Sequence, residues 1–224
     1  MKKRIQIDAT LLVLIILFTG FLYFNRHIYF ISPVMDNVLD FLGMIVILKG
    51  VLLRMSARGH KKAHSRQGDR LVETGPYVLT RNPMYLGSFL IGVGFALIVW
   101  PWWSWSIFVV FFYMRFIIQI KREEKHLAQL FPRDFPIYCQ HAPRLLPSLA
   151  TVLKTSPRQI FKMDEALCTK EKWGLLGWPL LAVVLEAWQE TLVFGAADIL
   201  AIMMIFLAAI VALSFGFWVA YRYG

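Results

Sequence analysis

Leu97-Ile98-Val99-Trp100-Pro101-Trp102-Trp103-Ser104-Trp105-Ser106-Ile107-Phe108-Val109-Val110 joins two apolar runs, 84–100 and 104–120, through one proline and four tryptophans. A bilayer crossing needs about 20 predominantly apolar residues, with a range of roughly 17–25. Both runs reach that range. Proline breaks a helix and tryptophan suits the headgroup level, so the join reads as a tight hairpin at one membrane interface. Working outward from it, four further segments approach the same length: 7–24, 35–53, 173–193 and 197–220. The fold class read from this pattern is all-α, a polytopic transmembrane helical bundle of about six spans. Composition agrees, since 58% of residues are hydrophobic, 17% are charged and the mean hydropathy is +0.58. One soluble core of 224 residues cannot hide that much apolar surface.

The net charge of +10 is not a nucleic-acid signal, because it lies in short stretches between the apolar runs. Of the 24 lysines and arginines, 22 fall in the N-terminal tail, the 54–81 loop, the 115–172 segment and the C-terminus. Six spans with both termini inside put all 22 on one side, as the positive-inside rule requires; the other two are Arg26 and Lys49. Met1-Lys2-Lys3-Arg4 and the following apolar run resemble a signal peptide. No small-residue cleavage site precedes Asn25-Arg26-His27, so 7–24 reads as a retained first span. The expected location is therefore the bacterial inner (plasma) membrane, multi-pass, with both termini cytosolic. Cys139 and Cys168 fall in cytosolic segments, where no structural disulfide is expected. The organisation is a core of 1–147, a connector of 148–172 and an additional two-span hairpin of 173–224. In the connector, Lys154, Arg158, Lys162, Lys170 and Lys172 mix with Leu153, Ile160, Phe161, Met163 and Leu167, an amphipathic stretch suited to anionic lipid.

Two cytosolic segments carry residues that a mere connector does not need. The first is Glu73-Thr74-Gly75-Pro76-Tyr77-Val78-Leu79-Thr80-Arg81-Asn82-Pro83-Met84-Tyr85-Leu86-Gly87. Gly75-Pro76 makes a turn, Pro83 opens a span at a first-turn position, and Gly87 allows close approach of a backbone or ligand. A helix start offers free backbone N–H groups to an anion, and Arg81 adds a bidentate partner. Tyr77 and Tyr85 suit stacking on an adenine or facing a cation. The competing reading is an ordinary span entry with its topological arginine and belt tyrosines. The second segment holds Lys121-Arg122-Glu123-Glu124-Lys125-His126-Leu127, then Phe131-Pro132-Arg133-Asp134-Phe135-Pro136-Ile137-Tyr138, then Ala142-Pro143-Arg144-Leu145-Leu146-Pro147. Acids at a helix C-terminus oppose the dipole unless something cationic binds them. A ligand with an ammonium and ribose hydroxyls suits Glu123 and Glu124; salt bridges on a solvated helix are the competing reading.

Elsewhere, His60 and His64 share a helical face, but the cations around them repel a metal and no carboxylate adjoins them in sequence, so no metal site is expected. Glu186, Glu190 and Asp198 read as a hydrated hairpin turn near the outer interface. Ser88, Gly92, Gly94 and Ala96 form a small-residue stripe for helix packing.

Taken together and in this order, the pieces resemble the membrane methyltransferases related to isoprenylcysteine carboxyl methyltransferase and phosphatidylethanolamine N-methyltransferase. The resemblance rests on Gly75-Pro76-Tyr77, Arg81-Asn82-Pro83-Met84-Tyr85-Leu86-Gly87, Glu123-Glu124, Leu127, Phe131, Tyr138, Pro143-Arg144 and Pro147, over roughly 68–147. Four positions depart from the family pattern: Asn82 stands for His, Pro132 for Gly, Phe135 for Tyr and Ala142 for Val. The missing hydroxyl at Phe135 bears on the substrate rather than on the cofactor. The resemblance implies S-adenosyl-L-methionine as cofactor, held by Tyr77, Arg81, Asn82, Pro83, Tyr85, Gly87, Glu123 and Glu124. It implies that Arg144 and Tyr138 act on catalysis, Arg144 by closing the pocket or neutralising an anionic acceptor. The acceptor implied is lipophilic, an isoprenylcysteine-like carboxylate or a lipid headgroup, entering from the bilayer. Two other classes stay open: an NADPH-dependent membrane reductase of the sterol-reductase type, whose members carry a similar Arg-Asn-Pro-x-Tyr-x-Gly stretch, and a non-enzymatic membrane protein docking through 173–224.

Overall fold

The structure, a computed structural model, describes residues 13–15, 17–22, 24–25, 28, 32–65 and 68–223. The basic N-terminal tail and the start of the 7–24 segment lie outside the described residues; residues 13–15 and 17–22 are helical. Every regular element among the described residues is helical, with no strand. The main helices are α1 (Pro33–His64), α2 (Pro83–Val99), α3 (Trp105–Leu130), α8 (Gly174–Phe194) and α9 (Ile199–Tyr223). Between α3 and α8 come the short helices α4 (Asp134–His141), α5 (Leu149–Lys154), α6 (Pro157–Ile160) and α7 (Met163–Leu167).

Helix α1 starts where Ser32 accepts the Met35 N–H at 3.3 Å, with Pro33 in the first turn, where no N–H is needed. It continues without a break through 32 residues, well beyond the expected 35–53. At 1.5 Å per residue it is roughly 48 Å long, against a hydrocarbon thickness of about 30 Å. Its last three turns therefore stand clear of any bilayer that its first half crosses. Helix α3 likewise runs past residue 120, carrying Glu123 and Glu124 on its extension.

The α1–α2 pair is the spine of the bundle. Lipid is as apolar as leucine, so close packing rather than hydrophobic transfer must hold the helices together. Gly43 faces Gly94 and Gly50 faces Gly87, one contact seven residues from the other on each helix. A Cβ on Gly50 would stand 2.6 Å from the Gly87 carbonyl oxygen, and one on Gly94 would stand 2.6 Å from that of Gly43. Met44, Ile47, Val51, Ile91 and Ile98 fill the spaces between, and Ile202 and Phe206 of α9 close the same core.

The tryptophan hairpin forms, but three of its four indoles have work other than marking an interface. Trp105 Nε1 donates to the Ala96 and Trp100 carbonyls at 2.9 and 3.1 Å, tying the start of α3 to the C-terminal end of α2. Trp100 Nε1 donates to Thr19 Oγ1 at 3.1 Å, and Trp103 packs on the core. Only Trp102 among the four is exposed, at 61%. Outside the core, Val110, Tyr113, Met114 and Ile118 of α3 and Met203, Leu207, Val211 and Phe215 of α9 are also exposed. Continuous apolar faces of this extent mark contact with lipid or another apolar partner. Two helices, Trp102–Leu130 and Ile199–Ala220, are long and apolar enough to cross a membrane.

The connector does not lie free as an amphipathic surface stretch. Phe161 and Ala166 enter the core, and Glu165 and Glu171 pair with basic residues of α1. The apolar residues that read as lipid-facing are thus divided: Leu153, Met163 and Leu167 stay exposed while Phe161 is buried.

Candidate functional site

The long extensions of α1 and α3 flank the start of α2, and between them lies a cavity of about 660 Å³. Its wall from α2 and the preceding turn is Tyr77, Arg81, Asn82, Pro83, Met84, Tyr85 and Ser88. Helix α3 gives Phe116, Gln119, Arg122, Glu123, His126 and Leu127, and α1 gives Arg54, Arg58 and Lys61. The two motif segments, some forty residues apart in sequence, therefore meet at one place.

Glu123 and Glu124 part company there. Successive helical side chains point about 100° apart. Glu123 faces the cavity and accepts the Tyr85 hydroxyl at 3.1 Å. Glu124 turns the other way and is 8% exposed. Its Oε2 accepts Arg144 Nε at 2.9 Å, its Oε1 accepts Asn82 Nδ2 at 3.3 Å, and Arg81 Nε stands 3.6 Å from it, a charge contact too long for a hydrogen bond. Asn82 Nδ2 also donates to the Arg144 carbonyl at 2.9 Å, and the Arg81 N–H to that of Pro143 at 2.9 Å. The Pro143-Arg144 segment is thus laced to the start of α2 through Glu124.

Tyr138 stands behind the cavity wall. Its hydroxyl donates to the Tyr77 carbonyl at 2.7 Å and is buried, so it props the Tyr77 turn instead of reaching into the cavity. Burial pushes the Tyr77 phenol up, with the Glu123 charge adding to it. Burial also raises that of Tyr138, beside Tyr77. Both phenols stay protonated donors. Phe135 packs at a ring distance of 6.4 Å from Tyr138 in the same buried cluster, away from the cavity lining. Its lack of a hydroxyl is a packing matter, contrary to the substrate contact expected from the sequence. Gly87 also lies off the cavity: it seats α2 on α1 at Gly50, so backbone approach, not ligand approach, explains it.

Arg144 lines a second, smaller and mostly apolar groove of about 350 Å³ with Phe112, Tyr113, Phe116, Ile117, Ile120, Leu145 and Leu146. Phe116 borders both spaces. The Arg144 side chain remains 45% exposed although its Nε is paired with Glu124.

The cationic wall of α1 was not singled out from the sequence, yet the spacing of Arg54, Arg58 and Lys61 puts all three on one helical face. Glu171 grips that wall. It accepts Arg54 Nε and Nη2 at 3.1 Å each, a bidentate pair, and also accepts from Arg58. Burial disfavours the Glu171 charge, but the hydrogen bonds from Arg54 and Arg58 outweigh it and hold the carboxyl below its usual range. Arg54 Nη1 also donates to Ser88 on α2.

Below this wall, His60 joins the connector to the motif turn. Its Nδ1 is 2.7 Å from Glu165 Oε2 and its Nε2 2.9 Å from Thr74 Oγ1. A carboxylate does therefore adjoin His60 in space, contrary to the reading from sequence neighbours. Gly75 sits on the ring at φ +62°, and a Cβ there would stand 2.8 Å from it. Both ring nitrogens of His60 thus serve the packing of this turn.

Known proteins resemble this region. Residues 38–134 match the phospholipid methyltransferase family. The protein-S-isoprenylcysteine O-methyltransferase of Saccharomyces cerevisiae (strain ATCC 204508 / S288c) is 31% identical over 105 residues, covering 43% of this chain and 44% of that protein. The chain thus spans less than half the length of this curated relative. No solved structure matches. Residues 38–134 take in all but the first turn of α1, the Tyr77 turn, α2 and α3, which build the larger cavity. Through this segment, with its apolar helices and the site they frame, the chain is similar to the membrane methyltransferases of the isoprenylcysteine and phospholipid type.

Proposed function

We propose that the protein transfers a methyl group from S-adenosylmethionine to an acidic lipophilic acceptor at the cytosolic surface of its membrane. The observation that carries this is the meeting of Tyr77, Arg81, Asn82, Tyr85 and Glu123 around one cavity of about 660 Å³, a size that suits a nucleoside-sized ligand. Its chemistry fits the same cofactor. Lys61, with Arg58 beside it, suits an α-carboxylate while Glu171 and Ser88 hold Arg54, Glu123 and the Tyr85 hydroxyl suit an ammonium or ribose hydroxyls, and Tyr77 and Phe116 suit an adenine. The bound cofactor supplies an activated methyl group to a nucleophile approaching in line.

The chain's own part is to position and to exclude water. Glu123 and Tyr85 orient the ligand from α3 and α2, and the knot at Glu124 fixes Arg144 beside the entrance. The apolar groove that shares Phe116 is the approach for the acceptor's hydrocarbon chain, and Arg144 meets its anionic end. This favours a prenylcysteine-like carboxylate over a cationic headgroup. On the reading of six spans with both termini in the cytosol, the larger cavity lies among the basic segments, on the cytosolic side. Equilibrium binding to detergent-purified protein tests the cofactor. Saturable binding of labelled S-adenosylmethionine that NADPH does not displace is expected; saturable NADPH binding instead would move the protein to the reductases.

A further inference from the structure

At the other end of α1, Asp36, Asp40 and Glu186 converge from α1 and α8. Their exposures are 3%, 1% and 0%. One ligand oxygen from each lies within 4.8 Å of the others. Among the described residues no N–H or hydroxyl donor reaches either carboxylate oxygen of Asp40 or of Glu186, whose carboxyl groups face each other. Beside them Gln189, 1% exposed, hydrogen-bonds the Asp36 side chain while its own Oε1 has no partner. Among the described residues, five buried acceptor atoms without a donor, three carboxyl groups among their owners and neighbours, lack the positive charge that such a group needs.

We propose that Asp36, Asp40, Glu186 and Gln189 bind one hard divalent cation, of the calcium or manganese class, that ties α1 to α8. All four ligands are oxygen donors, which such ions prefer to nitrogen or sulfur. Two oxygens each about 2.4 Å from a shared calcium ion are at most about 4.8 Å apart, so the spacing lets one ion touch all three carboxylates. Gln189 supplies a neutral fourth ligand, and water completes the shell. The ion has a route in. Glu190, half-buried one turn beyond Glu186, accepts the N–H of the exposed Asp198 at 3.0 Å, so a polar path leads from the cluster to the end of the bundle. Asp40 and Arg54 are fourteen residues apart on one helix, roughly 21 Å. The cation is therefore structural and separate from the methyl-transfer cavity.

The test uses full-length protein in detergent, stripped with EDTA and titrated with Mn²⁺ by the loss of its free-ion EPR signal. One tight equivalent at pH 7.5, displaced by Ca²⁺, is expected in the wild type and is lost in the isosteric double variant Asp40→Asn/Glu186→Gln. In Glu190→Gln, which spares the cluster, it is retained. Absence of binding by the wild type overturns the proposal and leaves the carboxyls holding protons. Equal binding by the double variant overturns it in favour of surface acids. Should the double variant not purify, Gln189→Leu removes one ligand at constant charge. It is expected to weaken Mn²⁺ binding by at least roughly tenfold, a loss seen even for outer-shell partners, and unchanged affinity there also overturns the proposal.

Discussion

Glu123 and Glu124 are adjacent, yet one faces a cavity and the other a knot of Arg81, Asn82 and Arg144. Their isosteric variants should therefore fail differently. Glu123→Gln is expected to weaken S-adenosylmethionine binding by roughly tenfold or more, the worth of one charge-assisted hydrogen bond, with an unchanged melting temperature. Glu124→Gln is expected to cost about 1–3 kcal/mol of stability, read as earlier thermal inactivation in detergent, because it weakens the lacing of the Arg144 segment. The reverse assignment of effects would show that the helix is turned otherwise. Arg144→Lys keeps the charge and loses the planar fork. Turnover should fall at least tenfold in that variant while S-adenosylmethionine affinity holds, and full activity would return Arg144 to a lipid-anchoring role. The acidic pair was legible as unusual in sequence, since acids oppose the helix C-terminal dipole. Which acid faces inward was not, because the partner of Glu124 comes from a segment twenty residues on. Tyr138 was legible as a motif residue for the same site, but its hydroxyl is committed to the Tyr77 carbonyl, a contact no local pattern announces.

At the scale of elements, helix positions were readable from hydropathy, and α2, α8 and α9 begin and end within about three residues of the apolar runs. The unbroken length of α1 was not, because the stretch beyond residue 53 is rich in charge and reads as a loop. That stretch supplies Arg54, Arg58 and Lys61, the part of the cavity that sequence reasoning missed. The glycine spine predicts a sharp contrast. Gly50→Leu should prevent α1 from seating on α2 and yield aggregated protein on size exclusion, whereas Gly177→Ala, with open space around it, should be silent. The seating of the connector on α1 should depend on pH through His60 and Glu165. Burial holds His60 below its ordinary 6.5 despite the Glu165 hydrogen bond. Burial disfavours the Glu165 charge, but His60 and Lys162 bring its carboxyl below 4.5. Both groups therefore bind protons more readily when unfolded. The stability they lend is complete above about pH 6.5 and declines as pH falls, first through His60 and then, below 4.5, through Glu165. Hydrogen exchange over 160–173 should accelerate from pH 7.5 to 5.5 after correction for intrinsic rates, and less so in His60→Gln. Equal protection at both values would remove His60 from the joint.

For the whole molecule, the proposed arrangement is of spans crossing the membrane, basic extensions gathered on one side, and the larger cavity between the extensions of α1 and α3. Introduced cysteines at positions within 56–72 and 125–170 should react with membrane-impermeant reagents only from the cytosolic side. Labelling of the C-terminus from outside would require an odd number of spans. The measurement that bears most directly on methyl transfer is the movement of tritium from methyl-labelled S-adenosylmethionine, catalysed by the purified protein, into a farnesylated cysteine or into phosphatidylethanolamine presented in micelles. Expected is label in the farnesylcysteine, released by base as a methyl ester and reduced at least tenfold in Glu123→Gln. Label in neither acceptor, from folded protein that also fails to bind S-adenosylmethionine, would contradict the assignment of this cavity to methyl transfer.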